Sequence, residues 1–172
     1  MKLNEIAQER RKQKRGTYAG VNYCPETKQA LQKFMKEHKI PNPIGHDKIH
    51  TTLLYSRKFL PNFKPRGMLE RPIKANFSSY DVWKTTSEDP DREPWNCLVM
   101  RLECPDLEKL HKKYMDEHQA EYDYAEYHPH ITLSYNIGDL DIKHLPRYTG
   151  KLVIVEEYGE DLNLDWTGTK LK

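Results

Sequence analysis

Two short segments of the chain hold residues able to move protons. "KIHTTLLYS" places His50 two residues before Thr52, and "HPHITLSYN" places His130 two residues before Thr132. In a strand, residues i and i+2 share a face, so each segment presents an imidazole beside a hydroxyl. Imidazole, with an ordinary pKa of about 6.5, both takes and gives protons near neutrality. Two of them across a cleft can serve as base and acid, while threonine hydroxyls donate to oxygens that gain charge. That inventory suits scission of a phosphodiester and asks for no metal or cofactor. A single His-x-Thr says little in a chain with 8 histidines. Two copies of His-x-Thr-Leu-x-Tyr say much more.

The alternation divides each segment. Ile131, Leu133 and Tyr135 are expected in a core, with His130, Thr132, Ser134 and Asn136 lining a wet cleft. In the first segment Ile49, Leu53 and Tyr55 turn inward, and His50 and Thr52 share the other face with Leu54 and Ser56. His128 and His130 also form His-x-His, a spacing that metals use. Neither segment carries a carboxylate or a cysteine, so no metal site is expected, and His128 is read as a phosphate contact or a structural residue. A module that sequesters nucleotides without cutting them is the competing reading from another class. It has no need of matched proton donors.

The elements that must position these residues repeat. Shifting the chain by 80 residues aligns Cys24, Pro25, Lys33, Met35, Glu37 and His38 with Cys104, Pro105, Lys113, Met115, Glu117 and His118, as well as the two motifs. Over residues 24–38 and 50–56 this gives 10 identities in 22 positions, against about one or two by chance. Each half predicts a strand (17–23; 96–103), a helix opened by proline, the histidine strand (48–56; 127–136) and a closing strand (73–83; 151–158). Proline suits the first helical turn, where its missing donor costs nothing. Ala30, Leu31, Phe34 and Met35, and Leu107, Leu110, Tyr114 and Met115, form apolar stripes that predict helices packed on sheets. His38 and His118, near the helix ends, get no catalytic role. The result is an α+β protein: a single catalytic domain over 1–172, with lobe one at about 17–83, lobe two at about 96–158, a basic segment at 1–16 and a tail at 159–172.

With 172 residues the chain is long enough for a sizeable core, and a net charge of +2 speaks against a general nucleic-acid binder. The absence of a long apolar run and of a signal core predicts no membrane association. Three cysteines in no metal spacing point to a reduced, cytoplasmic protein.

At the paired motifs, His50-Thr51-Thr52 and His130-Ile131-Thr132, the chain resembles the two-histidine (2H) phosphoesterase superfamily, over roughly residues 17–160. "TYAGV", "HTTLLYS", "YHPHITLSY" and the tail "EEYGEDLNLDW" further resemble the phage anti-CBASS cyclic-oligonucleotide nucleases. The resemblance implies a bilobed fold of two pseudo-symmetric β-α-β-β halves, whose antiparallel sheets face a central cleft. It implies a metal-independent phosphodiesterase that opens the 3′–5′ bonds of cyclic di- and trinucleotides in the cytoplasm of an infected host. Its substrate would be an adenine-containing cyclic oligonucleotide, with no stable protein partner. The catalytic residues would be His50, Thr52, His130 and Thr132, with the division of acid and base between the histidines left open. Bases need aromatic faces and polar edges. Tyr18, Trp83 (favoured over Trp95), Glu160 and Trp166 are the candidates to supply them, although Trp166 is also read as an anchor packed on the sheet. An RNA-end phosphodiesterase of the same superfamily is the alternative. It calls for a strong basic track, which the net charge disfavours.

Overall fold

The computed structural model describes residues 15–85, 91, 93–121 and 126–163. Among them are six strands and two α-helices: β1 (Arg15–Tyr23), α1 (Pro25–Glu37), β2 (His50–Ser56), β3 (Gly67–Thr85), β4 (Trp95–Glu103), α2 (Pro105–His118), β5 (His130–Ser134) and β6 (Leu152–Asn163).

The repeat persists in local structure. Both helices begin with proline in the first turn and place acids there, Glu26 in α1 and Asp106 and Glu108 in α2, where negative charge meets the positive end of the helix dipole. Both stop in the same way. Lys39 and Gln119, 80 positions apart, each take φ of 52°. One residue further on, the Ile40 and Ala120 amides reach back to the Met35 and Met115 carbonyls at 3.0 and 3.3 Å. This left-handed turn satisfies carbonyls that the last helical turn leaves bare.

The strands pair antiparallel in the order β2-β1-β6-β3-β4-β5. β6, which closes the second half, lies against β1 of the first half. The long β3, which closes the first half, pairs with β6 through Gly67–Ala75 and with β4 through Asn76–Thr85. The halves therefore exchange their closing strands, and the helices cross over as well. Phe34 of α1 stacks on Tyr80 of β3 and meets Tyr148 edge-on. In α2, His111 reaches the Leu53 carbonyl of β2 at 2.8 Å and Tyr114 bonds Glu157 of β6 at 2.6 Å. Leu31, Met35, Leu53, Leu98, Met100, Leu107, Leu133 and Ile154 fill the core between helices and sheet.

The two motif strands stand at opposite ends of the strand order, yet they meet. Thr51 donates its hydroxyl to the His130 carbonyl at 2.9 Å, and Tyr127 donates to the Thr52 carbonyl at 2.7 Å. The sheet is thus curled until its edges touch, which covers edges that would otherwise offer bare backbone groups.

Some sequence expectations change. β5 is shorter than the predicted 127–136, ending at Ser134. Tyr135 was expected in the core but is 40% exposed, because the strand has ended and its alternation no longer applies. Ser134, expected on a wet face, is fully buried and donates to the Pro41 carbonyl at 2.6 Å. Leu54 and Ser56 are likewise buried at the far end of β2. The wet part of each motif strand is therefore confined to its first His-x-Thr. In α2 the buried stripe runs Leu107, His111, Tyr114, with Leu110 and Met115 only partly covered.

Candidate active site

The two motif histidines are held in the same way. His50 Nδ1 lies 2.7 Å from the Lys48 carbonyl, and His130 Nδ1 lies 2.9 Å from the His128 carbonyl. A carbonyl only accepts, so each Nδ1 carries a proton and donates it. The backbone two residues upstream thereby fixes ring orientation and tautomer. Nε2 is left as the uncommitted nitrogen of both rings, an acceptor when neutral and a donor when charged.

Register decides what surrounds each ring, because directly opposed residues of antiparallel strands share a face. Asn22 stands opposite His50 on one side and Glu156 on the other, and its Nδ2 donates to Glu156 Oε1 at 2.6 Å. Gly20 stands opposite Thr52 and Tyr158. A Cβ on Gly20 would fall 2.6 Å from the Tyr158 hydroxyl, so glycine here lets the Tyr158 ring lie across β1. Tyr18 stands opposite Glu160, and its hydroxyl is 3.0 Å from Thr52 Oγ1. Its ring meets the His50 ring at 6.5 Å and the Tyr158 ring at 6.2 Å. Burial lifts the Tyr18 and Tyr158 phenols above their ordinary range, so both keep their protons and remain available as donors.

The His130 side is built differently. Arg101 stands directly opposite His130, and Val99 opposite Thr132. On the other flank of β4, Ser79 faces Arg101, Asp81 faces Val99 and Trp83 faces Cys97. The Trp83 ring meets the His130 ring edge-on at 4.4 Å, and its Nε1 donates to Asp81 Oδ2 at 2.8 Å. Burial lowers the His130 pKa, and the charges of His50, Arg101 and His128 push the same way, against the bond to the His128 carbonyl. The bond from the Thr51 hydroxyl to the His130 carbonyl brings the two motif strands side by side.

Two residues behind the cleft hold β2. His111 and Tyr127 stack with ring centres 4.2 Å apart and planes 7° from parallel. From that stack one bonds the Leu53 carbonyl and the other the Thr52 carbonyl. Burial holds the His111 pKa below its ordinary value, so this ring is a neutral clamp.

Of the residues singled out in the sequence, His50, Thr52, Tyr18 and Glu160 are placed on one wall, and His130, Thr132 and Trp83 on the other. Trp166 lies outside the described residues. Arg101, Asn22, Glu156, Tyr158, Tyr127 and His111 were missed. For Arg101, Asn22 and Glu156 the only signal is strand register, which no local pattern states. His128 turns toward Glu126, with Nε2 3.3 Å from Oε2. Among the described residues, no three His, Cys, Asp or Glu side chains form a group able to hold a metal ion, and no helix is long and apolar enough to cross a membrane.

Comparison with known proteins agrees with this architecture. The profile of the family described as "Anti-CBASS protein Acb1" matches residues 15–169. A protein of that name from Yersinia phage phiR1-RT is 34% identical over 151 residues, covering 88% of this chain and 91% of the relative. One from Enterobacteria phage T4 is 33% identical over 154 residues, covering 88% and 91%. Among solved structures, Escherichia coli LigT in its apo form superposes with a TM-score of 0.54 at 13% identity, covering 84% of this chain and 86% of that one. At that identity the likeness is one of fold.

Proposed function

The chain belongs to the anti-CBASS protein Acb1 family, and from that premise we propose that it is a metal-independent phosphodiesterase that opens the 3′–5′ bonds of cyclic di- and trinucleotides. The observation that carries the reading is the pair of histidines, each locked by a backbone carbonyl at Nδ1 and each followed two residues on by a threonine, on strands joined by the Thr51–His130 carbonyl bond. Such a pair supplies one acceptor and one donor of protons, the two transfers that scission requires.

In this reading the ribose 2′-oxygen attacks the adjacent 3′-phosphorus. One Nε2 takes the 2′-OH proton as the 2′-O–P bond forms, and the other Nε2 gives a proton to the 5′-oxygen as the P–O5′ bond breaks. The product ends in a 2′,3′-cyclic phosphate. The hydroxyls of Thr52 and Thr132 donate to the non-bridging oxygens as charge gathers there. Tyr18, by donating to Thr52 Oγ1, would leave that threonine's own proton aimed at the phosphate. Trp83 and Tyr18 offer ring faces to bases, Glu160 offers an acceptor to an adenine amino group, and Trp166 is assigned to a further base. The whole chain acts as one catalytic domain, in the cytoplasm of an infected host, on that host's signal nucleotides.

The test is incubation with a panel of cyclic oligonucleotides, their all-2′-deoxy counterparts and short linear RNA, with products identified by mass. Ribose rings should be linearised, also in the presence of chelator, and deoxy rings should survive because they lack the nucleophile. Cleavage of a deoxy ring, or abolition by chelator, would call for a metal-activated water instead. Cleavage of linear RNA alone would favour an RNA-end phosphodiesterase.

A further inference from the structure

Each motif histidine has one residue opposed to it on the neighbouring strand, and the two differ in kind. Asn22, opposite His50, is tied to the carboxylate of Glu156. Opposite His130 stands a half-buried arginine, Arg101, on the same face of β4 and β5 as His130. Its own electrostatic reach extends to His130. Among the described residues its guanidinium has neither a hydrogen bond nor an ion pair, whereas Arg15 and Arg66 both reach carboxylates. Asp81, opposite Val99 on that wall, is engaged by the Val82 amide and the Trp83 indole. A guanidinium turned into a catalytic cleft with no protein anion to neutralise it suits a phosphoryl group, whose oxygens accept its forked donors.

We propose that Arg101 is a catalytic residue, binding the non-bridging oxygens of the scissile phosphate beside His130 and gaining strength as negative charge accumulates on them in the transition state. The proposal rests on the reaction set out above and assigns within it the roles that the motifs leave open. Burial, aided by the fixed cation opposite, holds His130 neutral, and this ring takes the 2′-OH proton. That leaves His50 as the donor to the departing 5′-oxygen. The 2′-O–P bond forms, the P–O5′ bond breaks, and Arg101 exchanges neither proton nor electron pair. Besides burial, the charged groups that act on His130 are His50 across the cleft, Arg101 on β4 and His128 upstream in its own segment. All three are basic, and the acid on the same wall, Asp81, is held by the Val82 amide and the Trp83 indole.

The test compares wild type, R101M and R101K on a ribose cyclic dinucleotide across pH, with the His130 imidazole followed by NMR in the absence of substrate. R101M should lower kcat 10²–10³-fold, the range for loss of one donor to a developing oxyanion, with a smaller change in KM. R101K should recover part of the loss, since it keeps the charge and loses the fork. With the neighbouring cation gone, the His130 pKa should rise in R101M. The acidic limb of the kcat/KM profile, which reports the base losing its proton, should move up with it while the alkaline limb stays. Thermal unfolding should be unchanged. An R101M enzyme within three-fold of wild-type kcat, or an unmoved His130 titration, overturns the role of Arg101 and leaves the phosphodiesterase reading intact. A wild type inert toward every ring removes both.

Discussion

The two walls of the cleft share a backbone and differ in their side chains. On both, a carbonyl two residues upstream holds the histidine, and on both the preceding helix ends in the same left-handed turn. The His50 wall is completed by Tyr18, Tyr158 and the Asn22–Glu156 pair, and the His130 wall by Arg101 and the Trp83 ring. The helix layer behind shows the same divergence. α1 is anchored by the aromatic group Phe34, Tyr80 and Tyr148, whereas α2 is anchored by the fully buried Glu157. Its carboxylate accepts from Tyr114 and from the amide and Nε of Arg66. A symmetric backbone presents two like groups, but the acid–base chemistry proposed for them needs them unlike. The difference has to come from neighbours, and neighbours are where the halves depart from one another.

The sharpest break of this comparison is to remove one ring at a time. His50→Ala and His130→Ala should each lower turnover by about 10²–10⁴-fold, and the double variant should lose less than the product, since the two act on one event. Near-wild-type turnover in either single variant would end the two-ring mechanism.

The helix layer is tested at Glu157, where all three partners are donors. Glu157→Gln turns one acceptor into a donor facing donors, and should cost about 2–3 kcal/mol in denaturant unfolding, the scale of a hydrogen bond to a charged group. Phe34→Leu in the apolar anchor should cost less. The reverse order would show that the buried carboxylate contributes little.

The threonines should also separate. Thr52→Val and Thr132→Val should each lower kcat more than they weaken binding. In addition, Tyr18→Phe should couple to Thr52→Val and add independently to Thr132→Val in a double-mutant cycle, because only Thr52 shares a bond with Tyr18. Equal coupling to both would mean that Tyr18 acts on the substrate directly.

A smaller effect concerns the clamp behind β2. His111 is held neutral by burial, so the unfolded chain binds a proton there more readily than the folded one. Stability should fall as pH drops below about 6.5, the ordinary value of the unfolded ring. Replacing His111 with Gln should flatten that part of the stability curve measured by denaturation at pH 7.5 and 5.5. An unchanged slope would show that other groups dominate. Tyr127→Phe, which deletes one hydrogen bond to the Thr52 carbonyl, should cost about 1 kcal/mol.

The sequence alone carried the repeat, the helix starts at Pro25 and Pro105, the order of elements, and the pairing of each histidine with its threonine. All of these depend on neighbours within a turn or a strand, so periodicity and spacing state them. Strand alternation put Ile131 and Leu133 in the core, and failed at Tyr135 because it cannot say where a strand stops. Tertiary structure alone decided that β3 and β6 would be exchanged between halves, that the two ends of the sheet would meet through Thr51 and Tyr127, and that Arg101 and Asn22 would stand opposite His130 and His50. These are matters of register between distant strands. A slip of one residue would turn Arg101 away from the cleft, and that register is fixed by the collective packing of the core, which no short stretch of sequence records.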